Sequence, residues 1–343
     1  MGYLDRVTHP EWYHGHYRKP PFFEGWYFKL VSASGKARYA IIPGIFKSED
    51  PEQNHAFVQV LDGVTGQSVY HRFPADAFWA ATDRFEIALG GNRFTLHGLS
   101  LQLDGPEQAI SGEVRFEGIQ PWPVSLASPG IMGPFGWLPG NSALAWECNH
   151  GVLSLDHGLR GTFTVGRPNA SRAVIDWTGG RGYIEKDWGA AFPSAWVWTQ
   201  TNHFTAQAAG TCLTASIATI PVLGSWFRGI IVGLWYQGQL YRFTTYTGVR
   251  LECLEVDDRT VTWAMREGAY RLEVQATRAE GGLLRGPDRG SMGVRVPETL
   301  SATVEVHLSR LRGRQSETIL HDTGRYAGLE VVGELDKLVK RQA

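Results

Sequence analysis

Two carboxylates and a phenol alternate along residues 182–188 (GYIEKDW). In an extended strand, Tyr183, Glu185 and Asp187 share one face, with Cα atoms two residues apart separated by roughly 6.5–7 Å. At that spacing each negative charge opposes ionisation of the other, so one carboxyl could keep its proton near neutral pH and serve as a general acid. The alternative is a solvated strand face on which Lys186 neutralises a neighbour.

A second strand follows directly, and its pattern favours a ligand cavity. Alternation over residues 196–204 places aromatic rings and uncharged amides on one face: Trp196, Trp198, Gln200, Asn202 and Phe204. Buried amides need hydrogen-bond partners, whereas exposed rings are costly, so a cavity that orients the polar end of an apolar ligand accounts for both. The alternative is a sandwich core in which the amides bond internally.

Further candidates lie in two earlier segments. Residues 146–151 (WECNHG) put Trp146 and His150 on a common face, and residues 22–29 (FFEGWYFK) do the same for Glu24 and Trp26. A histidine on such a face is more often a core residue than an acid or base. Glu24 beside so many rings predicts either an Arg or Lys partner or a place in a site. Trp188 completes the candidate set for ligand contact.

The elements that must position these residues are strands. Period-two alternation between Gly, Asp and Pro turns recurs along the chain, whereas helical periodicity is scarce, so we predict an all-β fold. Residues 118–145 are rich in Pro and Gly and predict a long loop, either a lid or a domain connection. Residues 280–297 predict a second surface loop.

Composition excludes several classes of function. Lys plus Arg total 33 against 34 for Asp plus Glu, a net charge of −1, so no nucleic-acid partner is expected. The three cysteines lack C-x-x-C spacing, and no metal site is expected. Dinucleotide and P-loop fingerprints are also missing. With no leader-like or membrane-spanning pattern in this sequence, we expect a cytoplasmic protein.

Three segments together resemble the tocopherol cyclase family: PFFEGWYFKLV (21–31), WECNHGVLSLDHGLRG (146–161) and GYIEKDWGAAFPSAWVWTQTNHF (182–204). A weaker similarity links Y-x-E-x-x-W-G at 183–189 to the carotenoid hydratases, which have Asp in place of Glu185. The resemblance implies two lipocalin-like antiparallel β-domains, assigned to residues 1–170 and 171–343, with a ligand cavity and no cofactor.

The resemblance also implies a reaction, the closure of a chromanol ring on a prenylated hydroquinone. In this hypothesis Glu185 protonates the prenyl double bond, with Asp187 as its pKa partner. Tyr183, His150 and Asn202 orient the quinol, and Trp26, Trp196 and Trp198 stabilise the cation. The substrate would be collected through transient contact with a membrane surface. The alternatives are a hydratase or isomerase acting on another terpenoid, and an isoprenoid carrier without catalysis.

Overall fold

The computed structural model describes residues 7–137, 147–167, 171–205, 210–313 and 315–339. The chain divides into two compact units, Met1–Phe192 with Leu283–Arg295, and Pro193–Gly282 with Val296–Ala343. The predicted division at residue 170 is therefore wrong in position. Two strands beyond residue 170 pair with strands of the first unit, which moves the boundary to Phe192.

The first unit is built on one antiparallel sheet. Its strands are β1 (Phe22–Val31), β2 (Arg38–Lys47), β3 (His55–Asp62), β4 (Ser68–Pro74), β5 (Phe78–Ala80), β6 (Glu86–Leu89), β7 (Asn92–Thr95), β8 (Gly98–Asp104), β9 (Ala109–Gln120), β10 (Cys148–Gly166), β11 (Ala173–Asp176) and β12 (Arg181–Gly189). The order across the sheet is β4-β3-β2-β1-β12-β10-β9-β8-β7-β6-β5, and β11 pairs with β10. Most consecutive strands are joined by short turns, but residues 121–147 separate β9 from β10, and β12 inserts between β1 and β10.

This sheet curls around its own core. Trp26 on β1 stacks on Phe85 before β6 with ring centroids 5.8 Å apart, although β1 and β6 lie far apart in the strand order. The enclosed cluster also contains Phe28, Phe94 and Ile184. Residues that alternate toward this cluster lie on the inner face of the sheet, and the others lie on its outer face.

Apart from its residues within 283–295, which belong to the first unit, the remaining sheet lies in the second unit together with a short α-helix. Its strands are β13 (Ala195–Thr201), β14 (Cys212–Val222), β15 (Ser225–Tyr236), β16 (Gln239–Thr244), β17 (Arg250–Val256), β18 (Thr260–Glu267), β19 (Tyr270–Thr277), β20 (Gly282–Gly286), β21 (Val294–Arg312) and β22 (Gln315–Gly333), followed by α1 (Leu335–Val339). The order is β16-β15-β14-β13-β22-β21-β19-β18-β17. Short 3₁₀ turns occupy Gly15–Tyr17, Pro51–Gln53, Ala75–Ala77, Gly133–Trp137 and Thr245–Thr247.

The all-β prediction is confirmed, and both strands singled out in the sequence exist as β12 and β13. The surface loop expected at 280–297 is only partly a loop, because β20 and the start of β21 fall within it. In the Pro/Gly-rich segment, residues 121–137 are irregular as predicted, whereas residues 138–146, including Trp146, lie outside the described residues. No described helix is both long and apolar enough to cross a membrane.

Candidate active site

Strand β12 carries charged residues on both of its faces. It pairs with β1 and β10, so Asp187 lies opposite Gly25 on one side and His150 on the other. Glu185 lies opposite Tyr27 and Val152 in the same way. A β-bulge in β10 between Val152 and Ser154 ends this regular register. The alternation predicted from sequence is confirmed, and the acidic residues occupy the outer face.

Four side chains of the outer face form a connected polar cluster. The Tyr183 hydroxyl donates to Glu185 Oε2 at 2.6 Å. His150 Nδ1 lies 2.9 Å from Asp187 Oδ1, and His150 Nε2 lies 3.7 Å from Glu185 Oε2. Tyr183 is fully buried, whereas the Asp187 side chain keeps 27% of its surface exposed. The imidazole therefore lies between the two carboxylates, which the sequence had suggested would act on each other directly.

The electrostatics of the cluster place its proton on His150. Burial lowers the pKa of His150, but the charges of Asp187 and Glu185 outweigh it and raise that pKa from 6.5 to about 9. The neighbouring Cys148 thiol, 3.9 Å from Asp187 Oδ1, has its pKa raised well above 9.0, first by burial and then by Asp187. At neutral pH the cluster thus holds an imidazolium and a neutral thiol.

The same three groups could in principle hold a cation. Ligand atoms of His150, Glu185 and Asp187 lie within 4.8 Å of one another. However, both nitrogens of the imidazole already face separate carboxylates, and a protonated imidazole offers no lone pair to a metal. The geometry fits a shared proton better than a metal centre.

Apolar surface adjoins the carboxylates on the outer face. Phe23 and Phe192 meet edge to face with centroids 5.3 Å apart, in a cluster that also includes Cys148, Phe57 and Met292. A Cβ built on Gly25, beside Asp187, would have no atom nearer than 3.8 Å. A Cβ there would be in ordinary van der Waals contact with Pro43, Ile42 and Phe57, so Gly25 leaves space for little more than a methyl group.

The Pro/Gly-rich loop reaches the cluster from the other side. The backbone N–H of His150 donates to Met132 Sδ at 3.2 Å, and the neighbouring Ile131 is buried. The described part of the loop therefore packs at the start of β10, where the sequence analysis expected a lid or a connection.

The inner face of β12 carries a second charged pair. Lys186 Nζ lies 2.9 Å from Glu24 Oε1, both side chains are fully buried, and Lys186 also donates to the Trp12 carbonyl at 2.5 Å. The backbone N–H of His14 donates to both Glu24 oxygens. Burial lowers the pKa of Lys186 and raises that of Glu24, and each charge partly offsets the shift of the other. Of the two alternatives for Glu24, an Arg or Lys partner or a place in a site, the structure shows the Lys partner.

Two tryptophans assigned to the ligand belong to this inner face. Trp26 is fully buried in the core, and Lys186 Nζ lies 5.4 Å from its ring centroid and 4.5 Å from that of Trp188. Trp188 also packs against His14 with centroids 4.6 Å apart. Glu24, Trp26 and Trp188 lie on the opposite face of the sheet from Glu185, because Trp188 alternates with Glu185 along β12, and Glu24 and Trp26 pair with Trp188 and Lys186. Their role in binding substrate stays a prediction.

The aromatic and amide residues of β13 lie in the second unit. Val197 points into the core of that unit, whereas Trp196, Trp198, Gln200 and Asn202 lie on the opposite face and are all buried. Trp196 Nε1 donates to Glu330 Oε2 at 2.6 Å, and Gln200 Nε2 contacts Cys212 Sγ at 3.7 Å. The shared face predicted by alternation is confirmed for Trp196, Trp198 and Gln200, which lie within β13. It is wrong for Phe204, which follows the strand and packs against the unit's core.

Sequence reasoning missed two residues beside the acidic cluster. Tyr27 is the β1 partner of Glu185, and Lys29 is the β1 partner of Tyr183, with exposures of 8% and 1%. The signal was available, because Tyr27 and Lys29 alternate with Glu24 and Trp26. Only the pairing of β1 with β12 shows which of the two β1 faces accompanies Glu185.

Known proteins resemble this chain over most of its length. The model of the tocopherol cyclase-like family matches residues 156–333, a span that contains both β12 and β13. The chain belongs to this family. A probable chloroplastic tocopherol cyclase of Oryza sativa subsp. japonica is 26% identical over 372 residues, covering 91% of this chain and 76% of the relative.

Solved structures extend the likeness at the level of fold. CghA matches with a TM-score of 0.57 at 12% identity, covering 92% of this chain and 89% of that one. Kievitone hydratase from Nectria haematococca matches with a TM-score of 0.52 at 13% identity, covering 93% and 92%. The expected lipocalin-like, antiparallel fold class is confirmed.

Proposed function

We propose that this protein is a cyclase that closes a chromanol ring on a prenylated hydroquinone by acid–base catalysis. The observation that carries the proposal is the position of His150 between Asp187 and Glu185, with Tyr183 hydrogen-bonded to Glu185. Family membership and a curated relative named as a tocopherol cyclase support the reaction class.

Ring closure is an isomerisation, so the site must deliver one proton and recover one in each turnover. His150 first passes its proton to Glu185, and Glu185 donates it to the prenyl double bond, which leaves a tertiary cation. The phenol oxygen attacks that cation, and its proton passes to Asp187. His150 contacts both carboxylates and can return the proton from Asp187 to Glu185, while Tyr183 orients Glu185. This scheme moves His150 from an orienting role to that of a proton bridge.

The surroundings of the cluster suit an apolar substrate. Phe23 and Phe192 supply ring surface for a prenyl chain. Trp196, Trp198, Gln200 and Asn202 stay predictions as substrate-binding groups. The reaction scheme calls for no cofactor.

A hydratase would use the same proton and differ only in which nucleophile captures the cation. The exposed 27% of Asp187 favours this second candidate, because water can reach the acceptor carboxylate. A carrier without catalysis would have no need of ionisable groups in its site. It is less well supported, because the Glu185 side chain is only 7% exposed and is held by a hydrogen bond.

The test is product analysis with a phytylated dimethylhydroquinone. The unmodified protein should form a chromanol, and Glu185→Gln should slow this at least 100-fold, because a positioned general acid contributes about 10²–10⁴ in rate. Glu113→Gln is the matched control, since this exposed carboxylate in the same unit pairs with Arg115.

Each outcome separates the candidates. Unchanged turnover in folded Glu185→Gln removes Glu185 from the mechanism. A tertiary alcohol from the unmodified protein identifies a hydratase. Tight binding without any product identifies a carrier.

A further inference from the structure

A cavity distinct from the acidic cluster lies at the edge of the first unit's sheet. Its volume is about 440 Å³, and it is lined by β4, by the β8–β9 turn and by the segment from β20 to β21. Such a volume is enough for a small polar molecule. Its charged lining residues are Arg72, Arg285, Arg295, Asp104 and Glu107.

The arginines of this cavity differ from most others in the unit. None of the three forms an ion pair within the described ranges, although two carboxylates line the same cavity. Elsewhere in the unit, the following arginines do pair with carboxylates: Arg84, Arg93, Arg115, Arg160, Arg181 and Arg289. Unneutralised guanidinium groups around one concave surface repel one another, and an anion bound there would relieve that repulsion.

Arg285 is held in place before any ligand arrives. Its backbone N–H donates to Gln59 Oε1 at 2.7 Å, its carbonyl accepts from Gln59 Nε2 at 3.3 Å, and its guanidinium lies 4.8 Å from the Tyr70 ring centroid. Tyr70 stacks on Phe57 with centroids 5.1 Å apart and bonds His55 Nε2 at 2.7 Å. A stacked guanidinium loses little freedom on binding an anion, which favours affinity.

The local field is positive on this side of the cavity. Burial raises the pKa of Tyr70, and the charges of Arg285 and Arg72 act against that rise. Arg72 donates only to a backbone carbonyl, that of Glu52, at 2.9 Å. Both guanidinium groups thus keep donors that a carboxylate has not neutralised.

We infer that this cavity binds a phosphate ester whose organic part carries hydroxyl or ammonium groups. Arginine forks match phosphate oxygens. Asp104 and Glu107 accept hydrogen bonds from the donor groups of the ester, and the 57%-exposed Leu283 lies at the rim beside its methylenes. This site is independent of the proposed cyclase reaction.

The test uses glycerophosphoethanolamine as a soluble probe and phosphatidylethanolamine vesicles as a lipid probe. Calorimetric titration should show binding of the soluble ester, with Arg285→Gln weakening it at least about tenfold, because hydrogen bonds to charged groups are the strong ones. Arg115→Gln removes an equal charge from the same unit and should leave affinity unchanged. Asp104→Asn should weaken binding of the ester but not of inorganic phosphate.

Each result supports or overturns the inference. Binding of vesicles alone, sensitive to Arg285→Gln, identifies a lipid headgroup as the source of the phosphate. No binding of either probe, or equal loss in Arg115→Gln, overturns the site. If Arg285→Gln does not fold, Arg295→Gln serves in its place, because Arg295 is exposed and forms no ion pair with the described residues.

Discussion

Both faces of β12 carry buried ionisable groups, but the two sets of groups have different surroundings. On the inner face, Lys186 and Glu24 are fully enclosed and bond each other, the Trp12 carbonyl, the His14 N–H and the His14 imidazole. On the outer face, Glu185 and Asp187 share a histidine whose two nitrogens meet different carboxylates. Burial and charge alone therefore do not mark a reactive site. What distinguishes the outer face is a group that can gain and lose a proton between two acceptors.

The largest expected effect comes from breaking the inner pair. Lys186→Met leaves the Glu24 carboxylate buried without its cation and should lower the free energy of unfolding by about 3–5 kcal/mol, measured by urea denaturation. The double variant Lys186→Met with Glu24→Gln should recover a substantial part of this loss. If Glu185→Gln, which keeps an acceptor for Tyr183, destabilises the protein as much as Lys186→Met, the proposed contrast between the faces fails.

The next effect is a pH dependence that arises on the outer face. The folded-state pKa of His150, about 9, exceeds the ordinary value of 6.5. The stabilisation of the folded state by the charged imidazole is therefore fully present below pH 6.5, and it is lost as the pH rises to about 9. Its total is about 3 kcal/mol.

Urea denaturation at pH 6, 7.5 and 9 would measure this loss. Asp187, Glu185, Tyr183 and Cys148 are the titratable groups that face or adjoin the imidazole, and the Cys148 thiol stays neutral over this range. His150→Gln should flatten the dependence. If the free energy of unfolding of this variant falls with pH as steeply as that of the unmodified protein, other groups cause the pH dependence.

The smallest expected effect concerns the phenol of Tyr183. Tyr183→Phe removes the donor to Glu185 at 2.6 Å and should destabilise the fold by about 1–2 kcal/mol. It should also raise the pKa of His150 further, because Glu185 then interacts more strongly with the imidazolium. An NMR titration measures the pKa of His150 directly. A fall in that pKa would show that Tyr183 does not act through Glu185.

Alternation along β12 was enough to place Tyr183, Glu185 and Asp187 together, since side-chain direction in a strand depends only on spacing. Alternation could not show which face of the strand points into the core, because residues on both faces are buried. Glu24 and Trp26 were therefore grouped with the site, although they point to the core. The sequence also could not predict that His150 lies opposite Asp187. That pairing depends on the register of β10 against β12, and β10 contains bulges.

Glycines in β10 concealed its length. The alternating pattern predicts extended structure at residues 146–151 and again at 161–165, but Gly151 and Gly158 between them are typical of turns. In the structure β10 runs unbroken over Cys148–Gly166, with irregular pairing near its middle. Glycine marks bulges within strands as well as turns between them, and only the partner strand decides which it is.

The contacts of Trp12 and His14 with the inner ion pair bear on how this protein can be shortened for experiments. A truncation planned from the strand pattern would start just before β1 at Phe22 and would discard the Trp12 carbonyl and the His14 N–H. The Lys186 ammonium and the Glu24 carboxylate would then lose backbone partners that no strand supplies. An expression clone of the first unit should therefore keep the segment before β1 even though it contributes no strand to the sheet.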